Sequence, residues 1–174
     1  MSDQQEVGAE VALTTREVFM RELEAAMGQT PVSVIIIDLD HAKQINETHG
    51  HAAGDAVLSE VSRILFETLT PSDVVTPGRI KDEASEEVTY GEEEMLVLLR
   101  EASAEVATHK AEEILEKIEA IALSEYPDLR VTASLGVASS AEASDAKGLL
   151  RNADYVLYQA KGNGRNRVET YNLV

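Results

Sequence analysis

Pro31-Val-Ser-Val-Ile-Ile-Ile-Asp38 is a short, β-branched apolar run that ends in a carboxylate, with Leu39 and a second carboxylate, Asp40, directly behind it. Its length and β-branching predict a buried strand rather than a helix. Before it, Val18, Phe19, Met20, Leu23, Ala26 and Met27 recur at helical spacing across Arg16–Met27, and Gly28 and Pro31 stop that helix. After it, Val57, Leu58, Val61, Ile64, Leu65 and Leu69 form one stripe from Asp55 to Leu69, a second helix. Val74-Val75 reads as a brief strand before the Pro77-Gly78 turn, and Met95–Leu99 as another buried strand. Helices are expected over Ala104–Leu123 and Ser144–Lys161, strands over Leu129–Val137 and Arg167–Leu173. Strands separated by helices of this length favour a single layer of sheet covered by helices.

A chain of 174 residues fits one domain at roughly 150 residues per domain. No repeat, linker or low-complexity segment divides it, so residues 1–174 read as a single domain with a flexible start over residues 1–12. Zero cysteines exclude a disulfide framework, a thiolate metal site and a thiol nucleophile. Apolar runs such as Val34–Ile37 are far too short to span a bilayer, and the opening Met1-Ser2-Asp3-Gln4-Gln5-Glu6 lacks the regions of a signal peptide. A cytoplasmic location is the expectation. The net charge of −17 disfavours general binding to nucleic acid or anionic lipid, while a local basic pocket remains compatible with one phosphate ligand.

Three clusters carry chemistry. Asp38 and Asp40, two apart, point to the same side where a buried strand meets solvent. Such a pair holds a hard divalent ion against phosphates, or serves as turn former and helix cap. Glu92-Glu93-Glu94 precedes another buried strand; beside the first one, these carboxylates would converge and demand a cation, and otherwise they are solvated surface. Lys161-Gly-Asn-Gly-Arg-Asn-Arg167 is a basic, glycine-rich turn that either clamps phosphate or caps its helix.

Asp38-Leu-Asp-His-Ala-Lys-Gln-Ile-Asn46, Gly50-His-Ala-Ala-Gly-Asp55, Ala133-Ser-Leu-Gly-Val137, Ala153-Asp-Tyr-Val-Leu-Tyr-Gln-Ala-Lys161 and Asn163-Gly-Arg-Asn-Arg167 together resemble the GGDEF domain of diguanylate cyclases, from about Leu13 to Val168. The resemblance implies an α+β fold, a central, mainly antiparallel sheet flanked by helices, similar to nucleotidyl cyclases and the ferredoxin-like polymerase palm. It also implies two GTP molecules, one per subunit of a homodimer, condensing to cyclic di-GMP with Mg²⁺ or Mn²⁺. Carried over by position, Asp38, the Leu39 carbonyl, Glu93 and Glu94 hold metal, and Glu93 is also the base for the attacking 3′-hydroxyl. Asn46 and Asp55 read the guanine edge, Lys161 and Arg165 grip the triphosphate, and Lys43 stabilises charge developing on phosphate. His41, His49 and His51 serve local hydrogen bonds in this picture.

The signature departs from the family's pattern. It reads Gly91-Glu92-Glu93-Glu94-Met95, with Glu92 in place of the second glycine and Met95 in place of phenylalanine. A side chain at that glycine costs room beside the nucleotide, and its charge repels a triphosphate. An insertion falls over roughly Pro77–Val88, and the loop Leu13-Thr14-Thr15-Arg16 is shortened. The inhibitory Arg-x-x-Asp motif falls on Thr70-Pro71-Ser72-Asp73, which lacks its arginine; Arg79-Ile-Lys-Asp82 has the right letters inside the insertion. Three readings stand. The first is a degenerate GGDEF domain that binds guanine nucleotide or a protein partner with little or no cyclase activity. The second is an active homodimeric cyclase, and the third an interaction module without nucleotide.

Overall fold

The computed structural model describes residues 12–29, 31–77 and 94–172. The Pro77–Val88 insertion beyond Pro77 and the signature residues Gly91, Glu92 and Glu93 lie outside them. The described elements are β1 (Ala12–Leu13), α1 (Arg16–Ala26), β2 (Ser33–Leu39), α2 (Ala42–His49), α3 (His51–Thr68), β3 (Val74–Pro77), β4 (Glu94–Leu99), α4 (Ala104–Glu119), β5 (Ala133–Ser139), α5 (Ala146–Gly162) and β6 (Arg167–Thr170). The strands form one six-stranded sheet in the order β1-β3-β4-β2-β5-β6. Its three inner pairings are antiparallel, and the edge pairs β1–β3 and β5–β6 are parallel. The expected α+β sheet, mainly antiparallel and flanked by helices, is therefore the observed one.

β2 is buried along its whole length because helices cover both sides. Ile35, Ile37 and Leu39 face a core shared with Val57, Val61 and Ile64 of α3 and Ala111, Ile114 and Ile118 of α4. Val34 and Ile36 face the opposite core, with Phe19 and Leu23 of α1 and Leu149, Ala153 and Leu157 of α5. That two-sided burial is why the strand reads as a continuous apolar run rather than an alternation. α5 lies close on β5 because Gly136 has no side chain: a Cβ there would stand 2.2 Å from the Ala153 carbonyl oxygen. Thr15, Ser103 and Asp145 each accept a backbone N–H and start α1, α4 and α5.

Several boundaries differ from the sequence-based expectation. Ala42–His49 is a helix that the apolar pattern does not announce, since Ile45 is its one buried residue. α3 begins at His51 rather than Asp55; Gly50, at φ 90°, separates it from α2. α4 stops at Glu119, although Ile121 beyond it is buried, so the stripe outlasts the helix. Leu129 and Val131 belong to the core but precede the ladder, which starts at Ala133. β6 ends at Thr170. No helix among the described residues is long and apolar enough to cross a membrane.

Candidate functional site

Asp38 is the next-to-last residue of β2 and lies on the α1/α5 side of the sheet, two positions beyond Ile36. In the antiparallel ladders it stands directly opposite Glu94 of β4 and Ser134 of β5. Directly opposite residues share a face, so the Asp38 and Glu94 side chains leave the sheet on the same side. The expectation that the two acidic clusters sit on neighbouring strands is met for Glu94. Glu93 lies outside the described residues.

α5 runs over this face toward the same end and brings Lys161, in its last turn, into an ion pair with the Asp38 carboxylate. Three residues in a row then leave ordinary helical backbone: Gly164 at φ 114°, Arg165 at φ 64° and Asn166 at φ 47°. Left-handed backbone costs a non-glycine residue on the order of 1 kcal/mol, so the turn needs outside support. The Arg165 N–H donates to the Ala160 carbonyl over 3.0 Å, and the Asn166 N–H donates to Asp40 Oδ2 over 3.0 Å. Arg165 itself is exposed.

Asp40 proves different from Asp38. Its Oδ1 accepts from Ser134 Oγ at 2.7 Å, and its Oδ2 accepts from Thr132 Oγ1 at 2.7 Å as well as from Asn166. The carboxylate is buried and both oxygens are engaged. It ties the ends of β2 and β5 to the basic turn, a structural task that Asp38 does not share. Donors that lie more than ninety positions along the chain settle its role, and local spacing does not reveal them.

The chain turns directly from β2 into α2, with His41 left-handed at φ 54°. Asn46 is half-buried on α2, and Asp55 is exposed on α3. Gly54 brings the two helices together: a Cβ on it would stand 1.9 Å from Asn46 Oδ1. Motif spacing alone assigns Gly54 no role. Its signal is a glycine inside a helix, which costs about 1 kcal/mol relative to alanine and so calls for a packing reason. Lys43 is exposed on α2 and pairs with Glu47 at 3.8 Å rather than with the Asp38 cluster. His49 packs edge-on against Tyr126.

The donors suit a hard divalent cation, since Asp38 and Glu94 present carboxylate oxygens from one face. Among the described residues no group of three or more His, Asp or Glu could hold an ion unaided. Glu94 also lines a cleft of about 430 Å³ between α1 and α5, floored by Ile36 and Leu96 and edged by Arg16, Lys147, Arg151 and Asp154. At the other end of the sheet, the Asp73 carboxylate accepts from Thr70 N–H at 2.8 Å and Thr70 Oγ1 at 3.1 Å. Met95 is buried in the α3/α4 core, opposite Ile37.

Residues 12–167 match the family described as "Diguanylate cyclase, GGDEF domain". The chain belongs to the GGDEF domain family. It is 39% identical over 139 residues to Diguanylate cyclase A of Treponema denticola, covering 79% of this chain and 34% of that one. It is 36% identical over 157 residues to the diguanylate cyclase DosC of Escherichia coli, covering 88% of this chain and 32% of that one. The chain thus spans about a third of the length of these curated relatives. The GGEEF domain of a diguanylate cyclase from Vibrio cholerae superposes with a TM-score of 0.78 at 28% identity, covering 92% of this chain and 98% of that domain.

Proposed function

We propose that this GGDEF domain binds GTP with Mg²⁺ or Mn²⁺ at the Asp38 end of the sheet and turns it over weakly or not at all. The observation that carries the reading is the Asp38–Lys161 ion pair with Glu94 on the same face. One anion able to take a cation and one cation able to take a phosphate stand in contact there.

In this reading Asp38, the Leu39 carbonyl, Glu93 and Glu94 hold the ion. Asp55 accepts from the guanine N1–H and N2–H and Asn46 pairs along the same base edge, while Lys161 and Arg165 neutralise the triphosphate. A bound divalent ion supplies charge neutralisation at phosphate and acidifies an attacking hydroxyl. Glu93 would take the 3′-hydroxyl proton, with Lys43 swinging from Glu47 to the charge developing on phosphate. The cytoplasm, where GTP is supplied, is the place for such a domain, alone, as a homodimer or with a protein partner.

Glu92 is the reason for assigning weak turnover. It stands two residues before Glu94 in the sequence, where the family has glycine, and brings one more negative charge to a signature that the resemblance assigns to a polyanionic ligand. At a partly shielded distance that repulsion is on the order of 1 kcal/mol. An active cyclase is the second reading, favoured by the 39% identity to a diguanylate cyclase. Incubating the protein with GTP and Mg²⁺ and assaying cyclic di-GMP separates them. Little or no product from the natural sequence, with several-fold tighter GTP binding in Glu92→Gly, supports the proposal. Brisk turnover by the natural sequence refutes it.

A further inference from the structure

Lys161 is the group that would contact phosphate, yet its ammonium rests on the carboxylate that would contact metal. The Asp38 side chain is 12% exposed and that of Lys161 37%, so the contact is partly shielded from solvent and from salt. A divalent ion and an ammonium compete for the same oxygen lone pairs. Asp40, two residues on, does not relieve this competition, because both its oxygens already accept hydrogen bonds from Ser134, Thr132 and Asn166.

We infer that Lys161 is a specificity-determining residue that makes the site select a metal–polyphosphate complex over the bare divalent cation. This deepens, and rests on, the nucleotide reading above. A cation arriving alone must evict Lys161 from Asp38 and leave the ammonium facing another positive charge. A cation arriving with a polyphosphate brings the anion that receives the evicted ammonium. The two ligands are therefore positively linked through one side chain, and by reciprocity each tightens the other by the same factor. Lys161 needs only a rotamer change to trade partners, since its stem leaves the last turn of α5 and its backbone is fixed by the Asp40-anchored turn.

Opposite signs in two titrations test this. Mn²⁺ binding is measured calorimetrically on the full chain without nucleotide, and the Asp38-dependent part is defined by Asp38→Asn. Lys161→Met should tighten that part by roughly tenfold, the usual size of such couplings. In saturating Mn²⁺, the same substitution should weaken binding of a non-hydrolysable GTP analogue by roughly tenfold or more. Lys161→Arg keeps the charge and should keep bare Mn²⁺ weak. Arg165→Gln removes an exposed cation from the same turn and should weaken the analogue without tightening Mn²⁺. Lys161→Gln repeats the test if the methionine variant fails to fold. Mn²⁺ affinity unchanged or lower in Lys161→Met overturns the inference even where the analogue binds normally, and so does equal tightening by Arg165→Gln, which would mark long-range repulsion. An analogue bound by no protein in saturating Mn²⁺ overturns the nucleotide reading instead, and the selectivity falls with it.

Discussion

The two ends of the sheet each hold a buried aspartate, Asp38 where β2 finishes and Asp73 where β3 begins. Their partners differ in kind. Asp73 accepts from the amide and hydroxyl of Thr70, three residues away, and closes a local turn. The Arg100 guanidinium braces that turn through the Ser72 carbonyl at 2.7 Å while it pairs with Glu22 of α1. Asp38 instead meets a lysine more than a hundred residues along the chain, on a different element. A carboxylate satisfied by its own turn is architecture. One satisfied by a partly exposed cation keeps an exchangeable partner, which is what ligand binding requires. Asp40 shows that position alone does not decide: it is two residues from Asp38 and as firmly committed as Asp73.

The largest expected effect concerns the support beneath the exchangeable pair. Gly136→Val places a side chain where even a Cβ would stand 2.2 Å from the Ala153 carbonyl oxygen. Lifting α5 should cost about 3 kcal/mol or more and lower the melting temperature accordingly, and it should weaken GTP binding by displacing Lys161. A variant that melts with the natural protein would show that α5 does not depend on that contact.

Next comes a reversal between neighbours. Asp40→Ala strands two hydroxyl donors and one backbone N–H, so denaturant unfolding should show a loss of about 2–4 kcal/mol. Asp38→Ala lets Lys161 reach water and should cost less than about 1 kcal/mol, yet it should abolish metal-dependent nucleotide binding. Equal stability losses would erase the distinction between the two aspartates.

Asp73→Ala removes the turn's acceptor and should cost about 1–2 kcal/mol while leaving GTP affinity unchanged. Because Thr70 stands where the family's motif has arginine, cyclic di-GMP should not bind at this turn. Calorimetry showing sub-micromolar binding that Asp73→Ala abolishes would contradict that. The smallest effect is a gain. Thr76 Oγ1 in β3 is buried without a hydrogen-bond partner among the described residues, so Thr76→Val should stabilise the fold by about 1 kcal/mol.

The fold is legible where burial leaves a run or a stripe of apolar residues. β2 and β4 are buried nearly throughout, and α3 shows one apolar stripe, so each was readable from its own residues. α2 buries Ile45 alone, and one residue makes no period. Leu129 and Val131 are apolar because they are buried, and burial alone does not say whether a residue joins the ladder. In the site, the family's motifs supplied the residue identities, whereas partners came only from the fold. Spacing puts Asp38 and Asp40 on one side of the strand but reports only a side chain's face and not what meets it there, so it leaves ion holding and a structural role equally open. Gly54 carried a readable signal, a glycine inside a helix, whose meaning waited for Asn46 to be placed against it.

Nucleotide selectivity distinguishes a guanine-binding Asp38 end of the sheet from a merely structural one. Calorimetric titration of the natural protein with GTP and with ATP, each in excess Mg²⁺, measures it most directly. GTP should bind at least tenfold more tightly than ATP, since a pocket built to pair a polar edge rejects a base that leaves its groups unpaired by roughly 10⁴-fold in favourable cases. The preference should disappear in Asp55→Ala while metal-dependent binding persists. Equal affinity for the two nucleotides, or no binding of either, would contradict guanine binding there.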